Sequence, residues 1–251
     1  MSSSANPAKK MDTRVFPDID ALNRAALAEL LRIMANAVRE RGRFAIALSG
    51  GHTPEKMYGL WAEGERQNAN TPWDKVHLFW GDERYVTKDD PLSNYRMTRE
   101  ALIDHVPIPP ANVHRMPGPD VAATPQAAAQ AYEADLRKYF GSAPPALDLQ
   151  LLGLGPEGHT ASLFPGSPAL EEKTRWVMAI EALAKPAERL TMTLVLLNQA
   201  RNTFFLVAGA GKREILRALA AEPDSTQSQY PAGRVRPAGG AVWYLDQAAI
   251  A

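Results

Sequence analysis

Cysteine is absent from the 251 residues, which excludes disulfide staples, thiolate metal sites and a cysteine nucleophile together. Net charge is absent as well. The 28 lysines and arginines balance 28 aspartates and glutamates, so no long-range field draws the chain to nucleic acid or an anionic membrane, and any anion site has to be local. No window reaches about 18 consecutive apolar residues, the length of a spanning helix, and the polar start MSSSANPAKK lacks the apolar core of a secretion signal. Internal repeats are also missing. These absences point to a cytoplasmic protein with no nucleic-acid or membrane partner. Residues 1–13 read as a frayed segment and residues 14–251 as one domain. Nothing fixes the oligomeric state, for which a monomer is the default expectation.

What is present is an ordinary globular composition, 45% hydrophobic and 22% charged, at a length that suits one large α/β domain. From Asp18 to Arg43, Leu22, Ala26, Leu30, Ile33 and Ala37 recur at helical spacing beside a second stripe of Leu27, Leu31, Met34 and Val38. This predicts a long helix ending near Gly42. Four short apolar runs follow, and each leads into a glycine-rich or polar loop: Phe44 to Leu48 into SGGHTP, Val76 to Trp80 into GDER, Leu147 to Leu152 into GLGPEG, and Thr203 to Val207 into the loop around Gly209 and Lys212. Helical patterns run through Trp61, from Tyr95 to His105, from about Gln126 to Tyr139, and through Leu219. Short apolar strands alternating with helices predict a mostly parallel sheet covered on both faces, with ligands bound where the loops converge beyond the strands' carboxyl ends. The stretch EPDSTQSQY, Glu222 to Tyr230, reads as a mobile surface excursion.

Gly153 to Gly158 fits the dinucleotide pattern G-x-G-x-x-G, with a strand-like Trp176 to Ile180 ending in Glu181. The pattern misleads, because Pro165, Gly166 and Pro168 interrupt the helix it requires and Pro156 lacks an amide for a pyrophosphate. The same loop sets His159 two residues after Glu157, a carboxylate and an imidazole able to exchange protons near neutral pH. Gly50, Gly51 and Thr53 open a helix and offer amides and a hydroxyl to an anion. Lys212 could add a point charge and Arg189 a guanidinium fork. There is no Walker loop, no G-x-S-x-G elbow and no H-E-x-x-H helix. His52, His77, His105, His114 and His159 show no metal-ligand spacing, and His77, His105 and His114 read as structural. A metal-free acid–base site is the surviving type.

Together these loops resemble the 6-phosphogluconolactonase family, the lactone-hydrolysing branch of a superfamily that includes glucosamine-6-phosphate isomerases. The resemblance rests on Leu48 to Glu55 (LSGGHTPE), Trp80 to Val86 (WGDERYV) with Ser93, Asn94 and Tyr95, Leu152 to Pro165 (LGLGPEGHTASLFP), Arg189 to Thr193 (RLTMT), Gly209 to Lys212 (GAGK) and Pro231 to Val235 (PAGRV). It implies a three-layer α/β/α sandwich around a mostly parallel, Rossmann-like sheet. It also implies hydrolysis of a small sugar-phosphate lactone, 6-phospho-D-glucono-1,5-lactone, in the pentose phosphate pathway, without a metal or organic cofactor. Carried over residue by residue, His159 is the general base, Arg84 the oxyanion's partner and Glu157 the orienting carboxylate. Gly50, Gly51, Thr53, Asp82, Asn94, Arg189 and Lys212 would bind the substrate and its phosphate. Two residues depart from the pattern: His52 stands where relatives often carry a small polar residue, and Glu157 replaces an aspartate. An amino-sugar phosphate isomerase or deaminase is the nearest alternative, but that branch carries an acid five positions after the loop histidine, where this chain has Phe164. A non-catalytic sugar-phosphate sensor is the other, but the segment before Arg14 is too short for a helix-turn-helix.

Overall fold

The computed structural model describes residues 11–141, 143, 145–182, 185–222 and 228–251. Residues 1–10 and 223–227, which hold most of the expected frayed start and surface excursion, lie outside the described residues. In chain order the elements are β1 (Asp12–Phe16), α1 (Ile19–Arg41), β2 (Phe44–Leu48), α2 (His52–Gln67), β3 (Val76–Trp80), β4 (Asp82–Arg84), α3 (Asn94–Ala101), α4 (Pro125–Phe140), β5 (Leu149–Leu152), β6 (Val177–Glu181), β7 (Glu188–Met192), α5 (Leu194–Leu197), β8 (Thr203–Val207), α6 (Arg213–Ala221), β9 (Ala241–Asp246) and α7 (Gln247–Ile250). Asp12 and Thr13 pair with Val242 and Trp243, so the first strand takes in the end of the segment read as frayed.

The helix predicted from Asp18 forms because both ends are capped. The Asp18 carboxylate accepts from the Ala21 amide at 2.7 Å, and Gly42, at φ 73°, donates to the Val38 carbonyl. Its first stripe is buried at Leu22, Ala26, Leu30, Ile33 and Ala37, and α1 packs on β1, β2, β9 and α2. β2, β5 and β8 are buried along their whole length, as befits apolar runs covered on both faces.

The six-stranded sheet has the order β1-β9-β8-β5-β2-β3, and every pairing in it is parallel. The result is a three-layer α/β/α sandwich with a Rossmann-like sheet. From β2 the chain steps to β3 on one side, then crosses to β5, β8 and β9 on the other. The strand order therefore reverses between β2 and β5, a switch point of the kind at which open α/β sheets bind their ligands, beyond the strands' carboxyl ends. The loop after β2 carries Gly50 and Gly51, and the loop after β5 carries His159.

A second sheet, β4-β7-β6, is antiparallel throughout. The sequence reading anticipates only β6, as the strand-like Trp176 to Ile180; GDER reads as a loop, yet Asp82 to Arg84 pair with Thr191 to Arg189. Glu133 on α4 helps hold this layer, accepting from the Trp176 and Val177 amides at 2.8 and 3.1 Å.

Candidate active site

Two buried tyrosines fix the places where the first loops leave the sheet. The Tyr58 hydroxyl, on α2, accepts from the Ser49 amide at 3.0 Å and donates to its carbonyl at 2.9 Å. The Tyr132 hydroxyl, on α4, does the same for Trp80, at 2.9 and 3.2 Å. Each replaces the strand neighbour that the backbone loses as it turns out of the sheet. Burial pushes both phenols well above their ordinary range, so they remain neutral donors.

Beyond Ser49, Gly51 caps α2 at φ 104° with no side chain, which leaves first-turn donors unpartnered by any cap. A Cβ on Gly50 would strike the Asn94 side chain. Asn94 is almost wholly buried and donates from Nδ2 to the Asp82 carbonyl at 2.9 Å, so it joins the glycine turn to β4. Thr53 lies in the first turn of α2. His52 beside it is exposed, with Nδ1 3.6 Å from Glu55 Oε2.

On β4, Asp82 is buried and its Oδ2 accepts from Ser162 Oγ at 2.6 Å. The Ser162 amide donates to Thr191 Oγ1 on β7 at 3.2 Å, so the small sheet holds the far side of the His159 loop. Glu83 points inward and accepts from the amides of Arg84, Asn94 and Tyr95 and from Ser93 Oγ. Burial nevertheless pushes its carboxyl up to about 7.

Arg84 and Arg189 face each other across β4 and β7. Arg84 Nη1 donates to the Leu92 carbonyl at 2.6 Å, while its Nε is buried with no hydrogen-bond partner among the described residues. Arg189 is 8% exposed, and its Nε donates to the Pro186 carbonyl at 3.2 Å. Burial, and then the neighbouring Arg84, pull its pKa below the usual guanidinium value, against Asp82 and Glu83. Two guanidinium groups held this close favour an anion between or beside them.

The His159 loop is wound tightly. The Gly155 amide donates to the His159 carbonyl at 2.8 Å, and a Cβ on Gly155 would occupy the space of the imidazole. Gly158, at φ 83°, lies against the Tyr230 ring and its carbonyl accepts from the Ala232 amide at 2.9 Å. His159 Nδ1 stands 3.0 Å from Glu157 Oε1, but the pair lacks hydrogen-bond alignment and Nδ1 is buried. Among the described residues Nε2 has no hydrogen bond. Burial works against ionising Glu157, but its own backbone amide, His159 and Lys212 outweigh it and hold the carboxyl below its usual value. Lys212 Nζ donates to the Leu154 carbonyl at 2.6 Å. Burial lowers its pKa and Glu157 partly restores it.

Thus Arg84, Arg189, Asp82 and Asn94 meet through the β4–β7 pair and the Gly50 turn, and Glu157, His159 and Lys212 meet around the loop after β5. Sequence reasoning missed Tyr58, Tyr132, Glu83, Ser162, Thr191 and Phe164. Ser162 and Phe164 lay inside the most specific motif, whereas nothing local marks the two tyrosines. A cavity of about 1110 Å³ lies elsewhere, lined by Met11, Leu216, Pro237 and Trp243, and its walls reach Glu222, where the described residues break off.

The sequence pattern of the family described as Glucosamine-6-phosphate isomerases/6-phosphogluconolactonase matches residues 17–244, and the chain belongs to that family. A 6-phosphogluconolactonase of Synechocystis is 46% identical over 242 residues, covering 93% of this chain and 97% of its own. One from Mycobacterium tuberculosis is 40% identical over 94% of this chain and 96% of its own. The crystal structure of 6-phosphogluconolactonase from Thermotoga maritima superposes with a TM-score of 0.80 at 28% identity, covering 95% of this chain and 100% of its own.

Proposed function

We propose that this chain hydrolyses 6-phospho-D-glucono-1,5-lactone to 6-phosphogluconate, the step after glucose-6-phosphate oxidation in the pentose phosphate pathway. The observation that carries the reading is the His159–Glu157 pair in the loop after β5, beside the switch point of the sheet, with Arg84, Arg189 and Lys212 supplying positive charge. A lactone is an activated ester, so a positioned base and an oxyanion partner suffice without a covalent nucleophile. His159 takes a proton from water, whose oxygen attacks the lactone carbonyl, and Arg84 stabilises the charge that develops on the carbonyl oxygen. The tetrahedral species collapses with cleavage of the bond from the carbonyl carbon to the ring oxygen, and the imidazolium returns its proton to that oxygen. Glu157 orients His159. Gly50, Gly51 and Thr53 at the start of α2, with Asp82, Asn94, Arg189 and Lys212, seat the substrate and its phosphate, which positions the ring from a distance. None of these steps draws on a metal or organic cofactor.

The composition supports a cytoplasmic setting with a small molecule as the partner, and we place residues 14–251 in one domain that works as a monomer. Among the described residues no helix is long and apolar enough to cross a membrane.

The test compares 6-phosphogluconolactone with unphosphorylated gluconolactone, corrected for spontaneous opening. The wild type is expected to prefer the phosphorylated ester strongly. Lys212→Ala and Arg189→Ala are each expected to weaken its binding by about 1.5–3 kcal/mol, the scale of a charge-assisted hydrogen bond, roughly ten- to a hundredfold, while keeping much of the activity on the plain lactone. Equal handling of both esters by the wild type would overturn the sugar-phosphate reading.

A further inference from the structure

Glu157 alone does not hold the imidazole of His159. The 3.0 Å approach to Nδ1 lacks hydrogen-bond alignment, the carboxylate is about half exposed, and Gly155 presents no side chain to the ring. A base free to rotate loses the geometry on which proton transfer depends. Another group has to fix the ring, and Phe164 stands in the right place: its centroid lies 4.6 Å from that of His159, with the planes 38° apart.

The position of Phe164 is itself determined from several directions. Ala161 takes φ 48° and turns the chain back. The Ser162 amide is tied to Thr191 on β7, Leu163 is buried in the core with its amide on the Thr160 carbonyl, and the Phe164 carbonyl accepts from the Ser167 amide. Arg189, two residues before Thr191 on the same strand, sets its guanidinium carbon 5.8 Å from the Phe164 centroid. A partly buried aromatic ring thus lies against both the imidazole and the buried cation, within reach of ring–ring and cation–π attraction.

We infer that Phe164 is a positioning residue that holds the His159 ring in its working orientation and braces Arg189, so that base and cation are set by one plate anchored on β7. The inference rests on the proposed hydrolysis for its kinetic test and on geometry alone for its spectroscopic one.

Phe164→Leu keeps the apolar volume and removes the plate. On both lactones its kcat is expected to fall about 5- to 20-fold, less than the roughly hundredfold cost of a full ångström of misplacement, and KM for the phosphorylated lactone alone is expected to rise. Phe164→Tyr should restore both. In a His159→Ala background the Phe164→Leu change should alter the residual kcat by less than about twofold, because the coupling it acts through is gone. The His159 Cε1–H resonance, single in the wild type, should broaden or split in Phe164→Leu. A folded Phe164→Leu protein with wild-type kcat, or one whose loss persists undiminished without His159, would overturn the inference. So would a His159 resonance as sharp as that of the wild type, whether or not the wild type hydrolyses either ester. A wild type inactive on both lactones refutes the proposed reaction and leaves the resonance to decide the role of Phe164.

Discussion

The imidazole of His159 has one nitrogen turned toward Glu157 and the other without a partner among the described residues, the arrangement that the proposed base requires. Replacing it with alanine opens no core cavity, since the side chain is about a quarter exposed. His159→Ala is therefore expected to fold normally and to lose about 10²–10⁴-fold in kcat, the range for removal of a general base. Thermal unfolding alongside a progress curve separates the two quantities. The loop that carries this residue and Glu157, and the turn that carries Lys212, are legible in the sequence because they follow apolar strands directly, within a few residues; Arg84 enters only through the family resemblance. The partners that hold these groups are not legible, because Ser162 meets Asp82 across 80 positions and the pairing leaves no mark in either neighbourhood.

Among the elements, β2, β3 and β8 run over the residues expected of them. A strand buried on both faces is an uninterrupted apolar run and announces its own ends. β4 escaped notice because its three residues are Asp, Glu and Arg and its partner lies about a hundred residues further on, where no periodicity can report it. β1 escaped because it is an exposed edge strand. The tyrosines that end β2 and β3 give the element-scale prediction. Tyr132→Phe removes a hydroxyl that serves both backbone groups of Trp80 and leaves them buried, so it should cost about 1–3 kcal/mol in chemical denaturation. Tyr58→Phe should do the same at Ser49. A change within about 0.5 kcal/mol, the range of an ordinary surface substitution, would show that the backbone there finds other partners.

For the molecule as a whole, one buried and one half-buried group pull stability in opposite directions with pH. Glu83, at about 7 when folded against 4.5 ordinarily, keeps a proton that the unfolded chain releases, so its contribution to stability falls as pH rises from about 4.5 to about 7. His77 is pulled down from 6.5 to about 4 by burial, then by His114 and Arg43. Its contribution is lost as pH falls through that interval. The two slopes offset each other between about 4.5 and 6.5, so this pair together adds little to the pH dependence of the melting temperature there. Glu83→Gln should expose a melting temperature that climbs with pH, and His77→Gln one that declines; parallel curves for all three proteins would contradict both assignments. The strand order bears also on how the molecule is made. β1 and β9 come from opposite ends of the sequence yet lie side by side, and the amide that steadies Gly158 belongs to Ala232. A chain emerging from the ribosome therefore displays Gly50, Arg84 and His159 long before it can support them. β1 waits for β9 before it has a neighbour, so competence arrives only once the segment from Ala232 through β9 has been made and closes behind the loops that came first.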